Sequence, residues 1–346
     1  MDNKLIYEFS SQKTDGDASL SNLLGGKGAN LAEMSKLGIQ VPPGFTITTE
    51  ACNYFSKNKK LPDGLKEEII NYVSNLESLS QKSFGNSESP LLLSVRSGGM
   101  ISMPGMMDSI LNIGLNDDNV QNLAKAFNDE RFALDSYRRL IQMYSNVVLG
   151  VEVDRFEAVI ANKKRMDNVT SDADFNVEQL EWIINAYKNT VERFTNSPFP
   201  QDPHEQLLGA IEAVFSSWQN KRAITYRKIN NIPYSLGTGA TIQTMVFGNL
   251  NDKSGTGVAF TRNPSNGSKE LYGEYLINAQ GEDVVAGIRT PHPIKNDDSV
   301  EQESLESKFP NAYKEIKEIT SKLEKHFKDC LLYTSDAADE RCRGGG

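Results

Sequence analysis

The chain has 346 residues, a formal net charge of −9 at pH 7 and three cysteines. This length suits two or three packed lobes, the acidic balance argues against a general nucleic-acid binder, and the cysteines lack the spacing of a metal site or a disulfide framework. No apolar run approaches the roughly 20 residues that span a bilayer and the N-terminus has no signal-peptide pattern, so we predict a cytoplasmic globular protein that binds neither membranes nor nucleic acid.

The first candidate site is a lysine surrounded by glycines in the run Gly-Gly-Lys-Gly, residues 25–28. Helix-forming residues follow from 30 to 36, so Lys27 lies near a helix N-terminus, where free N–H groups and the helix dipole favour an anion. The run is not a P-loop, because Gly28 follows the lysine where that motif has Ser or Thr. A phosphate contact and an ordinary exposed lysine both fit this motif alone.

The most informative stretch is residues 94–108, which follow a run of three leucines typical of a buried strand. This stretch delivers Arg96 into a loop of Gly, Ser and Met. Gly98 and Gly99 allow the backbone to approach a ligand closely, and arginine supplies a fixed fork of donors for phosphate or carboxylate. A phosphate cradle and a tight turn whose arginine pairs with a surface carboxylate are both open at this point.

Apolar residues at helical spacing dominate the middle of the chain. One predicted helix, with its apolar face over residues 132–148, carries Arg138 and Arg139. Successive helical residues point about 100° apart, so at most one of the pair can face a given site, and we interpret them as a solvated, salt-bridging pair. Residues 152–231 predict an antiparallel helical insert, with Pro203 in a connecting turn and His204 near a helix start.

After Pro233 the pattern changes to strands. We predict strands over residues 240–249, 255–264 and 270–277, in a β-rich lobe of hairpins, followed by an amphipathic helix that begins near Pro310. Glu274, Glu282 and Asp283 offer the hard oxygen ligands that Mg²⁺ prefers. A solvated acidic loop explains these carboxylates equally well.

Four runs together resemble the N-terminal nucleotide-binding domain of the pyruvate, phosphate dikinase family: residues 25–34, 94–108, 255–264 and 273–291. The resemblance covers residues 4–329, and the runs occur in the family's order. The related phosphoenolpyruvate synthases and glucan dikinases share the layout but not Ser-Met-Pro-Gly-Met-Met-Asp, residues 102–108. The resemblance implies an α+β, ATP-grasp fold, in which two α+β lobes hold ATP in a cleft, here with a helical insert.

The resemblance also implies a reaction. ATP would give its β-phosphoryl group to a histidine on a swivelling domain, AMP would leave, and the γ-phosphate would pass to inorganic phosphate. The phosphohistidine would then phosphorylate pyruvate in a separate barrel domain. In full, a phosphotransferase with paired acceptors would convert ATP, pyruvate and phosphate into AMP, phosphoenolpyruvate and diphosphate. The phosphohistidine domain and the pyruvate barrel are the partners this implies.

By the same resemblance, the phosphate-binding residues can be assigned. Lys27 and Arg96 would be catalytic and would contact the ATP phosphates, with Gly98 and Gly99 in the same loop. Arg139 would supply a third cation. A lysine, an arginine and Mg²⁺ suit phosphoryl transfer, which depends mostly on positioning and charge neutralisation.

The adenine and metal positions follow from the resemblance as well. The run from Gln243 to Phe247, including Met245 and Val246, would contain the backbone hinge that reads the adenine edge. Mg²⁺ would keep its phosphate ligands and take Glu274 or Glu282 from the protein, because the family's two main metal carboxylates are expected after residue 329 and are missing here.

The sequence therefore predicts a fragment. His204, His292 and His326 lack the Ser-His-Ala-Ala context of the family's carrier histidine, and residues 330–346 resemble a translated sequencing adapter. We expect weak or no ATP binding, aggregation on expression and no activity of the fragment alone. The predicted domains are an N-terminal lobe with the Lys27 and Arg96 loops, a mainly helical subdomain, an incomplete β-rich lobe and a non-native tail: 1–110, 111–235, 236–329 and 330–346.

Two alternatives stay open. The chain could belong to a related ATP-grasp phosphotransferase, of the phosphoenolpyruvate synthase or glucan dikinase type, that phosphorylates another acceptor. It could also be a non-catalytic nucleotide-binding module. The domains that choose the acceptor would discriminate between these functions.

Overall fold

A computed structural model describes residues 4–85, 88–287, 289–296 and 302–329. The chain divides into two compact units, Met1–Met245 and Val246–Gly346, and the three-lobe division predicted from the sequence stays a prediction. Among the described residues, no helix has both the length and the apolar character needed to cross a bilayer. The tail 330–346 lies outside the described residues.

A five-stranded antiparallel sheet organises the first unit, with the strand order β1-β2-β5-β3-β4. Its strands are β1 (Ile6–Phe9), β2 (Gly44–Ile47), β3 (Leu93–Gly98), β4 (Ser109–Ile113) and β5 (Gly239–Thr244). The sequence analysis grouped the last of these with the later hairpins, whereas the structure places it in the middle of this sheet. All six of its residues are buried, as expected for a strand with neighbours at both edges and layers on both faces.

Nine helices are described in the first unit: α1 (Ser21–Lys36), α2 (Thr49–Asn58), α3 (Leu65–Ser80), α4 (Val120–Phe127), α5 (Glu130–Val147), α6 (Val153–Asp167), α7 (Val177–Thr195), α8 (Pro203–Ser217) and α9 (Lys221–Ile229). The helical insert is confirmed: α6 and α7 meet through Phe156 and Tyr187, whose ring centroids are 4.8 Å apart. Pro203 begins α8 instead of lying in the preceding turn. Asp202 caps this helix by accepting hydrogen bonds from two amides of its first turn, which suits proline at the first helical position.

The second unit contains a three-stranded antiparallel sheet of β6 (Gly255–Phe260), β7 (Tyr272–Ile277) and β8 (His292–Pro293). Its described helices are α10 (Gly281–Ala286), α11 (Leu305–Lys308) and α12 (Pro310–Phe327). Tyr275, Ile294 and Leu305 form a small core, against which Tyr313 and Ile316 of α12 pack. The amphipathic helix after Pro310 is therefore confirmed, and the predicted hairpin strands 255–264 and 270–277 are shorter than expected.

Candidate functional site

The first part of the site is a break in α1 that places Lys27. Gly25 leaves the helical conformation, with φ 71° and ψ 165°, a region that glycine adopts without steric penalty. A Cβ at Gly25 would lie 1.7 Å from the carbonyl oxygen of Gly98. The next amide, of Gly26, donates a hydrogen bond of 2.9 Å to the carbonyl oxygen of Gly99. The glycines before Lys27 therefore lie directly against the glycines after Arg96.

Lys27 itself lies at the contact between the two turns. A Cβ built on Gly98 would lie 3.0 Å from the Cβ of Lys27, and the Gly98 amide donates to the hydroxyl of Thr238 at 3.1 Å. Gly98 is the last residue of β3 and comes two residues after Arg96. The structure thus brings the main chain of Lys27 to the end of the strand that carries Arg96.

Arg96 lies on a polar face of the central sheet. Its side chain is buried, and Nη2 donates to Oε1 of Gln243 at 2.7 Å. On the same face, the hydroxyls of Thr46 and Thr241 lie 3.2 Å apart. A Cβ at Gly28 would lie 2.6 Å from the Thr46 hydroxyl, so this polar face is the one covered by α1. The β3–β5 register, with Arg96 opposite Thr241, puts these groups in one row.

The loop after Arg96, residues 99–108, is anchored at its far end. Asn220 donates from Nδ2 to the carbonyl oxygen of Met106 at 3.0 Å, and Asp108 pairs with Arg222 at 3.3 Å. Burial raises the pKa of Asp108, and the Arg222 guanidinium offsets part of that rise. Met100 and Ile101 are 42% exposed at the near end. These anchors are not visible in the sequence, since the paired residues lie more than 100 positions apart.

Arg138 and Arg139 both form salt bridges as expected, but Arg138 is buried and both meet the same carboxylate, so the interpretation of a solvated pair with at most one member facing a given site was wrong. The Arg138 side chain is 4% exposed and pairs with Asp135 at 2.7 Å, while Arg139 pairs with the other oxygen of Asp135 at 3.0 Å. Burial alone would raise the pKa of Asp135, but the two guanidinium groups outweigh it and hold this pKa well below its usual range. The i, i+3 and i, i+4 spacing on α5 makes this triad. The ion pair holds the Arg139 side chain against Asp135 of the same helix. A phosphate contact of Arg139 stays a prediction.

The run predicted to read adenine begins inside the sheet. The side chain of Gln243 is buried and spans Arg96 and Pro42, since Nε2 donates to the Pro42 carbonyl oxygen at 2.8 Å. The amide of Met245 donates to the carbonyl oxygen of Leu92 at 2.9 Å. Val246 is the first residue of the second unit. An adenine contact from Met245 or Val246 stays a prediction.

The described residues do not form a Mg²⁺ site by themselves. Glu274 lies exposed on β7, and the side chain of Glu282, in α10, lies outside the described part of the structure. Within that part, no group of three or more His, Cys, Asp and Glu side chains is arranged to hold a metal. Proteins usually bind Mg²⁺ through one or two carboxylates together with water and the phosphates of a substrate, so Glu274 is not a site without the nucleotide. The assignment of Glu274 and Glu282 to Mg²⁺ stays a prediction.

Each of the three histidines lies in a different environment. The ring of His204 meets Phe84 edge-on at 5.2 Å, at the start of α8 as predicted. His292 lies on β8 with Nδ1 3.2 Å from the carbonyl oxygen of Glu303, and His326 contacts Phe327 at the end of α12.

Comparison with known proteins shows the family of the chain. The family model described as "Pyruvate phosphate dikinase, AMP/ATP-binding domain" matches residues 21–84 and 57–332. A pyruvate, phosphate dikinase of Rhizobium meliloti is 50% identical over 331 residues, which cover 94% of this chain and 37% of the relative. The enzyme of Clostridium symbiosum is 51% identical over 328 residues, covering 94% and 36%.

A chloroplastic pyruvate, phosphate dikinase of Mesembryanthemum crystallinum is 47% identical over 348 residues, covering 99% of this chain and 36% of the relative. The chain therefore spans little more than a third of the length of the curated relatives it matches.

Proposed function

Because the chain belongs to the family of the pyruvate phosphate dikinase AMP/ATP-binding domain, we propose that it is the ATP-binding part of a pyruvate, phosphate dikinase. The overall reaction would convert ATP, pyruvate and phosphate into AMP, phosphoenolpyruvate and diphosphate. This ATP-grasp-type domain would carry out the first partial reaction, the phosphorylation of a histidine on a swivelling domain. That domain and the pyruvate-binding barrel would be supplied by the remaining two thirds of a protein as long as its relatives.

In this proposal Lys27 and Arg96 neutralise the phosphate chain of ATP. Phosphoryl transfer relies on positioning and on charge stabilisation rather than on covalent chemistry by the protein. The guanidinium of Arg96 offers a planar fork of donors, and the ammonium of Lys27 offers a compact charge with three donors. Gly98 and Gly99 would let the phosphates approach the main chain closely, because neither residue carries a Cβ.

The observation that carries the proposal is the contact between two glycine turns. The Gly26 amide bonds to the Gly99 carbonyl oxygen, and Gly25 packs against Gly98 with no room for a side chain. Each turn adjoins one of the two cations, so the contact fixes the main chain at Lys27 relative to the end of the strand that carries Arg96. Preorganised charges of this kind stabilise developing charge without reorganising during the reaction.

Affinity labelling tests this proposal even when ATP binds weakly. An acyl-phosphate derivative of ATP, which acylates lysines next to the phosphates, should modify Lys27, and excess ATP should suppress the modification. Peptide mass spectrometry would locate the label. Lys57, exposed near the end of α2, is the internal control and should label equally with and without ATP.

Titration with ATP gives the second arm. Lys27→Ala and Arg96→Ala should each weaken ATP binding about tenfold or more, which corresponds to about 1.4 kcal/mol. Lys57→Ala and Arg155→Ala, at exposed positions of α2 and α6, should bind as the unsubstituted chain does. Unchanged affinity in both site variants, or ATP-insensitive labelling of Lys27, would refute the assignment.

A further inference from the structure

Gln243 holds Arg96 through a hydrogen-bonded relay. Nη2 of Arg96 donates to Oε1 of Gln243 at 2.7 Å, and Nε2 of Gln243 donates to the Pro42 carbonyl oxygen at 2.8 Å. The partners fix the orientation of the amide, because a guanidinium can only donate and a carbonyl oxygen can only accept. Gln243 is 1% exposed and Arg96 is 3% exposed. The relay therefore connects the loop before β2 to the cation on β3 across the middle of the sheet.

The sheet register explains why Gln243 can reach Arg96. In the antiparallel pair of β3 and β5, Gln243 lies opposite Ser94, and Arg96 lies opposite Thr241. Residues two apart share a face, so Arg96 and Gln243 are diagonal neighbours, within reach of long side chains. On the other side, β2 places Gly44 opposite Gln243, next to Pro43 and Pro42. The pairing of β5 with β3 and β2 therefore fixes the main chain at Arg96, at Gln243 and at Gly44, two residues after Pro42.

Both polar ends of the Gln243 side chain are engaged inside the sheet, with Arg96 and with Pro42, whereas the adenine contact predicted from the sequence involves the backbone of this run. The amide keeps one further N–H and one further lone pair, but the residue is only 1% exposed. A buried polar group that loses its partner is strongly destabilised. The residue is better suited to orient the arginine than to touch the base.

The chemistry of the side chain adds a second constraint. A hydrogen bond to a neutral amide directs the guanidinium without cancelling its charge. A carboxylate of the same shape would form an ion pair with Arg96 and would compete with the phosphates for it. Glutamine is therefore suited to a site in which the arginine has to remain available to an anionic ligand.

We propose that Gln243 is a positioning residue that aims the Arg96 guanidinium at the ATP phosphates, and that its neutrality keeps the arginine available to them. This inference rests on the proposed function, in which Arg96 binds phosphate. It assigns Gln243 no contact with the nucleotide. It also predicts that changes at Gln243 affect the phosphate half of the ligand and spare the adenosine half.

The experiment uses the full chain with Gln243→Glu, Gln243→Met and Arg96→Met. Affinities for ATP, inorganic triphosphate and adenosine are measured by titration, and ligand-free thermal unfolding is followed for each variant. Gln206 provides the matched control, since it is also fully buried and its Nε2 donates to two carbonyl oxygens, those of Leu115 and Pro200. Gln206→Glu and Gln206→Met should lower thermal stability without changing the ratio of ATP to adenosine affinity.

Gln243→Glu should weaken ATP and triphosphate binding about tenfold or more and leave adenosine affinity within about twofold. Gln243→Met should weaken the binding of ATP and triphosphate less than Gln243→Glu does, because it removes the hydrogen bond that orients Arg96 but adds no charge. The ATP affinity of Gln243→Glu should also respond less to added salt, since one net positive charge is lost from the site.

The outcomes separate this inference from the proposed function. If Arg96→Met binds triphosphate as the unsubstituted chain does, the proposed function fails. If Arg96→Met loses binding but both Gln243 variants keep it, only the positioning inference fails. Parallel loss of adenosine and ATP affinity, or failure of both Gln243 variants to fold while the Gln206 variants fold, would give Gln243 a base-binding or purely structural role and would overturn the inference.

Discussion

The contact between the glycine turns gives the sharpest prediction for this chain, the effect of Gly25→Ala. The new methyl group would lie 1.7 Å from the carbonyl oxygen of Gly98, whereas real Cβ contacts are essentially never closer than 3.0 Å. The two turns must therefore separate by more than 1 Å, on the order of the misplacement that disables precisely arranged sites. We expect the Gly26–Gly99 hydrogen bond to be lost and the ATP phosphates to bind more weakly.

The magnitude follows from two contributions. An alanine held at φ 71° is strained by about 1–3 kcal/mol, and a lost main-chain hydrogen bond adds about 0.5–1.5 kcal/mol. Gly25→Ala should then lower the free energy of unfolding of the first unit by about 1.5–4.5 kcal/mol and weaken ATP binding at least about tenfold.

Gly150→Ala separates strain from the clash. Gly150 has φ 72°, and nothing lies within 4 Å of a Cβ built there. Its substitution should introduce only the conformational strain, about 1–3 kcal/mol, and should leave ATP affinity unchanged.

Urea unfolding followed by tryptophan fluorescence measures both variants, because the two tryptophans, Trp182 and Trp218, lie in the first unit. Titration with ATP gives the second measurement. If Gly25→Ala binds ATP as well as Gly150→Ala does, the contact between the turns does not place the cations and the reasoning is refuted.

Two further predictions concern buried groups. Asp135→Asn should destabilise the first unit by about 3–5 kcal/mol, because two guanidinium groups lose their charged partner. The pKa of Asp135 is held well below that of an ordinary aspartate, so the stability that its charge contributes is present above about pH 4 and is lost progressively as the pH falls below that. Urea unfolding from pH 6 to pH 3 should therefore show a steeper loss of stability for the unsubstituted chain than for the variant, and parallel curves would contradict this. Burial raises the pKa of Cys52 to about 11, so the peptide containing Cys52 should resist iodoacetamide at pH 8 until the chain unfolds; labelling at the rate of a free thiol would show that the site is open.

Local patterns in the sequence were sufficient for several features. The apolar residues at helical spacing predicted the helical insert over residues 152–231, and Leu180, Ile184 and Tyr187 of α7 are buried there. The start of α12 at Pro310 is also confirmed. These features depend on neighbours within a few residues, where periodicity and capping preferences act directly.

Features that depend on distant partners were not predictable in the same way. Nothing near residues 239–244 indicates that this strand pairs with both β2 and β3, which are about 200 and 150 positions away. The same distance hides the relay from Gln243 to Arg96. Arg138 resembled a surface residue because its burial depends on the helices packed around α5, and the residue sequence of α5 alone does not specify these.

The order of strands in the first sheet has a consequence for synthesis of the protein. β2 and β3 are both made early, yet the strand that joins them ends only at residue 244. At translation rates of about 5–20 residues per second, the ribosome needs about 7–30 s to advance from β3 to the end of β5. Throughout that interval two strand edges have no partner, and open edges template pairing with other chains. The nascent polypeptide is therefore most vulnerable to misassembly while its helical middle is being translated, and chaperones that shield strand edges would act there.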